Sequence, residues 1–78
     1  GNQFYFHEVN DFMAFDQEKQ EIGRIKNVND SGPQALFVID SNGIEILIPV
    51  HDSFIKNLDR ESKEIHLELP DGLLDIFK

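Results

Sequence analysis

The side chains best suited to catalysis or metal binding in this sequence are three histidines and fifteen carboxylates, together with a few serines. His51-Asp52-Ser53 contains the residue types of a hydrolase triad. A triad works because its members converge, with the hydroxyl in reach of the imidazole and the carboxylate on its far nitrogen. Sequence neighbours point to opposite sides of a strand or fan around a turn, so adjacency opposes convergence. The run reads instead as a junction in which Asp52 or Ser53 caps a short helical turn. No Gly-x-Ser-x-Gly elbow occurs anywhere.

Metal chemistry fares no better. His66 and Glu68 share one side of a strand pattern, and His7 and His51 could approach them only after folding. Their spacing matches no ligand motif, and positions opposite Ile65, Leu67 and Leu69 are ordinary solvent-facing places for His66 and Glu68. A metal-dependent hydrolase built on His51 and His66 is therefore the weakest reading. The carboxylates are dispersed rather than paired in an apolar setting that would raise one pKa. The glycines stand singly in turns and form no phosphate-binding loop. The expectation is a non-enzymatic chain with no catalytic residue, metal or cofactor.

Aromatic residues are the remaining distinctive feature. Phe4-Tyr5-Phe6 opens the chain and Phe12 and Phe15 follow, which puts five of its eight aromatics in the first 15 residues. Some of them can plug one end of a small core, and others can cover a surface where a partner docks, since Tyr and Phe are enriched at interfaces. Leu47 has the same two readings, as second-face core or as an exposed contact. Tyr5, Phe6 and Leu47 are thus the candidate partner-binding residues.

Charge narrows the partner. With 7 Lys+Arg against 15 Asp+Glu, the net charge is −8. Such a chain repels phosphate backbones and anionic lipid, so no direct nucleic-acid or membrane binding is expected. Its electrostatic complement is a basic protein. Cysteine is absent, which rules out disulfides, thiolate chemistry and Cys-ligated zinc. The longest apolar run, Ala35-Leu36-Phe37-Val38-Ile39, is far shorter than the roughly 20 residues of a membrane-crossing helix. No basic stretch followed by an apolar one opens the sequence. Gly1, without an initiator Met, reads as a remnant of tag cleavage, with residues 1–3 as remnant or linker and residues 4–78 as one small domain of a longer protein.

The elements that must position these side chains are short. Turn signals at Asp30-Ser31-Gly32-Pro33, Asp40-Ser41-Asn42-Gly43, Leu58 to Lys63 and Pro70-Asp71-Gly72 leave pieces of strand length between them. Ile44 to Val50 alternates and pairs with Leu36 to Ile39 across an Asn-Gly turn of type I′. Pro49 cannot donate to a ladder, which puts that end at a sheet edge or a strand terminus. Ile65, Leu67 and Leu69 mark another strand, and Asp11 to Asp16 one more, with Phe12 and Ala14 opposite Met13 and Phe15. Ile22 to Val28 has apolar residues three apart, and Gly23 favours a bulged strand there. Short helical turns are expected near 52–58 and at the C-terminus. Five or six strands in so short a chain are too few for a two-sheet sandwich. The economical fold is all-β, a small bent antiparallel barrel.

Glu45-Ile46-Leu47-Ile48-Pro49-Val50, Phe54-Ile55-Lys56-Asn57-Leu58-Asp59, Lys63-Glu64-Ile65 and Leu69-Pro70-Asp71-Gly72-Leu73-Leu74 together resemble the C-terminal, PRC-barrel half of the ribosome maturation factor RimM family. Glu21-Ile22-Gly23-Arg24-Ile25 resembles that family's Gly-x-Val strand, and Gln34 to Ile39 its hydrophobic strand before the hairpin. Phe4-Tyr5-Phe6-His7-Glu8-Val9 resembles its paired-aromatic opening. Phe6 stands where the family usually has a second tyrosine, Asn10-Asp11 where it has an aliphatic residue and glycine, and Asp71 replaces the usual Glu.

The resemblance implies a PRC-barrel fold and a cytoplasmic, non-enzymatic role in small-subunit assembly and rRNA processing. It implies as partners small-subunit ribosomal protein nineteen, the small ribosomal subunit and an N-terminal domain of the same protein. The alternative is a generic PRC-barrel interaction module serving another complex.

Overall fold

The computed structural model describes residues 5–70. A 3-10 helix over Phe6–Val9 leads into β1 (Met13–Phe15), β2 (Glu21–Asn29), β3 (Leu36–Ser41) and β4 (Ile44–Pro49). A second 3-10 helix (Asp52–Phe54) precedes β5 (Ile55–Asp59) and β6 (Glu64–Leu67). All six strands join one sheet in the order β4-β3-β2-β1-β6-β5. The fold is therefore all-β, as expected.

Local chemistry explains the hairpins. Asn42 and Gly43 sit at φ 55° and 89°, the left-handed geometry of a type I′ turn, whose twist matches the flanking strands. The Gly43 N–H donates to Asp40 Oδ1 at 3.0 Å, so the turn supplies its own anchor. Pairing then runs in register from Ser41↔Ile44 to Leu36↔Pro49. Asp16 organises the β1–β2 turn, its Oδ1 accepting from the Glu18 and Gln20 amides at 2.9 Å each.

Bulges interrupt two of the strands, β2 and β5. Lys26 is unopposed between the Ile25↔Ile39 and Asn27↔Val38 pairs, and Lys56 between Ile55↔Leu67 and Asn57↔His66. A bulge stretches the inward period from two residues to three. That is why Ile25 and Val28 both turn toward the core, and why Ile55 and Leu58 do so as well. A third bulge, at Ile22 opposite β1, lies beside Gly23. A Cβ on Gly23 would come to 2.9 Å from the Asp40 carbonyl carbon and from Ile39 Cγ2, and closer still to the Asp40 carbonyl oxygen. Only glycine lets β2 and β3 approach this closely.

The expected helical turn near 52–58 exists only as the 3-10 helix Asp52–Phe54, and from Ile55 onward the chain is strand. The i, i+1, i+4 apolar set of Phe54, Ile55 and Leu58 fits a helix, but the Lys56 bulge produces the same spacing on a strand. The strand expected over Asp11 to Asp16 is shorter, since Asp11 has φ 72° and breaks the extended path. β1 and β6 run parallel, although every other pair is antiparallel as expected. The expected C-terminal helical turn lies outside the described residues, as does Phe4.

Bending brings the inner faces of distant strands together. Phe37, Ile39, Ile46 and Ile48 from β3–β4 share one buried cluster with Ile55, Ile65 and Leu67 from β5–β6. The extents are 29 × 29 × 24 Å, whereas packed sheet layers are only about 10 Å apart. No ladder joins β4 to β5 among the described residues. Side-chain packing therefore closes this end of the barrel. Gln17 adds a further clasp: its side-chain amide donates to Leu69 O at 3.3 Å and accepts from Leu69 N at 3.0 Å. It thereby continues the β1–β6 pairing past the end of both strands.

Candidate protein-docking surface

The catalytic reading of His51-Asp52-Ser53 ends in a turn. His51 Nδ1 accepts from the Ser53 amide at 3.1 Å and lies 2.7 Å from Ser53 Oγ. The imidazole thereby caps the 3-10 helix itself, in place of the expected Asp52 or Ser53. Both residues are exposed. His66 lies elsewhere, stacked on Phe15 with ring centroids 5.2 Å apart and its Nε2 3.3 Å from Glu64 Oε1. Among the described residues, no three His, Asp or Glu side chains gather as a metal site would require.

The opening aromatics divide between core and surface. Tyr5 is 85% exposed, just before the first 3-10 helix. Phe6 is half-buried, and Val9 and Phe12 are buried in the core. Arg60 fixes this helix to the β5–β6 turn: its Nε donates to Glu8 Oε2, and its Nη2 to Glu8 Oε1 at 3.2 Å. The Arg60 hydrogen bond holds the Glu8 carboxyl below the usual carboxylate range, and the same contact raises the Arg60 pKa. Asp59 is lowered as well, chiefly by the Ser62 amide, which donates to Oδ1 at 3.2 Å; the Glu61 amide contributes at 3.0 Å. The exposed Tyr5 ring is thus presented from a base anchored to the far turn.

Leu47 lies half-buried on the outer face of β4, opposite Val38. Val38 is buried yet stands outside the main core cluster. With half-buried Leu36 and Pro49 it makes a small second apolar patch. The first 3-10 helix packs on β2, whereas Leu47 stands on β4, two strands further along the sheet.

Sequence reasoning missed a third feature. The parallel β1–β6 register places Met13 beside Glu64 and Phe15 beside His66 on the outer face. Asp59 and Asn57 continue those two rows across β5, and Arg24 and Glu21 continue them across β2. Met13, Phe15 and His66 are all half-buried. Outward placement was legible from the alternation, but the neighbours were not, because nothing local encodes a parallel pair formed by strands some fifty residues apart.

Residues 6–73 match the family described as RimM PRC barrel domain. The chain is 41% identical over 76 residues to the ribosome maturation factor RimM of Christiangramia forsetii, covering 97% of this chain and 43% of that protein. It is 42% identical over 77 residues to the ribosome maturation factor RimM of Flavobacterium johnsoniae, covering 99% of this chain and 44% of that protein. The chain thus spans less than half the length of these relatives. A crystal structure described as a candidate 16S ribosomal RNA processing protein RimM from Pseudomonas aeruginosa superposes with a TM-score of 0.76 at 20% identity. That match covers 90% of this chain and 46% of the other, and it shows a shared fold.

Proposed function

The chain belongs to the RimM PRC barrel domain family, and on that premise we propose that it is a non-catalytic docking domain of a cytoplasmic ribosome maturation factor. Its partner in this reading is small-subunit ribosomal protein nineteen, bound during assembly of the small subunit. Family membership carries the reading, because the similar full-length proteins are named ribosome maturation factors. Physical chemistry supports it. Ribosomal proteins must neutralise rRNA phosphates and are therefore basic, and a chain of net charge −8 attracts and shields such a protein before RNA does.

Tyr5, Phe6 and Leu47 are the proposed contact residues. The 85% exposure of Tyr5 supports its role as an aromatic anchor, since an exposed ring gains most from burial at an interface. Half-buried Phe6 extends that anchor, and Leu47 supplies a separate apolar contact. Isothermal titration of the chain with small-subunit ribosomal protein nineteen tests the proposal, with full-length Flavobacterium johnsoniae relative as companion. The expected result is measurable heat at low salt, and affinity about tenfold weaker for Tyr5→Ala, the order of an interface anchor worth more than 1 kcal/mol. An absence of heat from both proteins would contradict it.

A further inference from the structure

We propose that the outer face of β1 and β6, centred on the stacked Phe15–His66 pair, is a docking surface for an arginine- and lysine-bearing segment of a basic protein. The inference deepens the function proposed above and rests on it. Three observations carry it.

The first is apolar area in an unusual place. Met13, Phe15 and His66 cover the solvent side of the sheet, where alternation ordinarily puts fully polar side chains. The two rings lie 15° from parallel, so they form one continuous surface rather than two separate side chains.

The second is the charge around that surface. Glu64 flanks it on β6, with its Oε1 on His66 Nε2, and Glu21 stands across from Phe15 on β2. Glu21 is exposed and has no ion-pair partner among the described residues.

The third is that Arg24 and Lys56, on the strands flanking this pair, are each held by a contact within the chain. Arg24 donates Nη1 to Asp11 O at 2.8 Å, and Lys56 lies 3.6 Å from Glu68 Oε1. Lys63, beside Glu64, has no ion pair among the described residues. The face thus presents apolar area whose rim carries Glu21, Glu64 and Asp59 against a single cation of the strands, Arg24 opposite Met13. Arginine and lysine match this pattern, because their methylene stems lie on apolar area while their charged heads reach carboxylates at its rim.

The test separates this face from general attraction by an acidic chain. Glu64→Lys and Asp30→Lys change the net charge equally, but Asp30 lies in the β2–β3 loop, away from β1 and β6. Affinity for the basic ribosomal protein named above is measured for both variants, and amide shifts of the 15N-labelled parent chain map the contact. The expected result is at least tenfold weaker binding for Glu64→Lys, less than threefold for Asp30→Lys, and shifts centred on Met13, Phe15 and His66. Equal weakening, or shifts that spare β1 and β6, would overturn this surface and leave the proposed function standing. Shifts of the same residues on self-concentration, with no protein added, would assign the face to a second copy and overturn it too. No binding by the parent chain, with binding by the full-length relative, would overturn this surface and leave the proposed function standing, and no binding by either would overturn both proposals.

Discussion

Asp11 is where this sequence departs most tellingly from its family resemblance. It holds φ 72°, in the region a Cβ disfavours, at the position where the resembled pattern has glycine. Its amide donates to Ile25 O at 2.8 Å, so the strained residue is tied in place. Asp11→Gly is expected to stabilise the chain by about 0.5–1 kcal/mol, measured by urea unfolding, because the relief of strain exceeds the added chain entropy. The lowered carboxyls of Glu8 and Asp59 give a second expectation at this scale. A carboxylate whose folded pKa is depressed stabilises the fold fully above its unfolded value. That contribution is lost as pH falls through the folded value. The urea midpoint should therefore drop below about pH 4, and the drop should shrink in the Glu8→Gln, Asp59→Ala double variant. An undiminished drop would assign acid sensitivity to other groups.

Elements were legible where chemistry is local. Asn42-Gly43 specifies a turn type, and the turn type specifies a register, so the β3–β4 hairpin could be read from adjacent residues. Phe54 to Leu58 could not, because a bulge at Lys56 makes a strand display helical spacing. The similar spacing in β2 was legible only because Gly23 marks an irregularity. The parallel β1–β6 pair was illegible, and with it the Phe15–His66 surface. For the same reason, exposure of Tyr5 could be anticipated but its separation from Leu47 could not. Gly23→Ala should destabilise the fold by at least about 2 kcal/mol, since the new methyl meets the Asp40 backbone, which has little room to retreat. Gln17→Ala should cost about 1–3 kcal/mol, the net worth of two hydrogen bonds, and should raise amide exchange at Leu69. Unchanged exchange there would show that the clasp does not hold the end of β6.

At the scale of the molecule, the six strands of the described residues enclose one buried cluster and turn their other face outward. A barrel of this size has little interior to spare for a substrate, and its net charge of −8 acts over the whole surface. Long-range attraction of this kind raises the rate of encounter more than it slows dissociation. Ionic strength screens it, with a Debye length of about 10 Å at 0.1 M salt. The most direct test is stopped-flow association of the chain with small-subunit ribosomal protein nineteen across a salt series. The account predicts that kon falls at least tenfold between about 20 mM and 300 mM salt while koff changes less than threefold. No association at low salt, or a kon indifferent to salt, would contradict it.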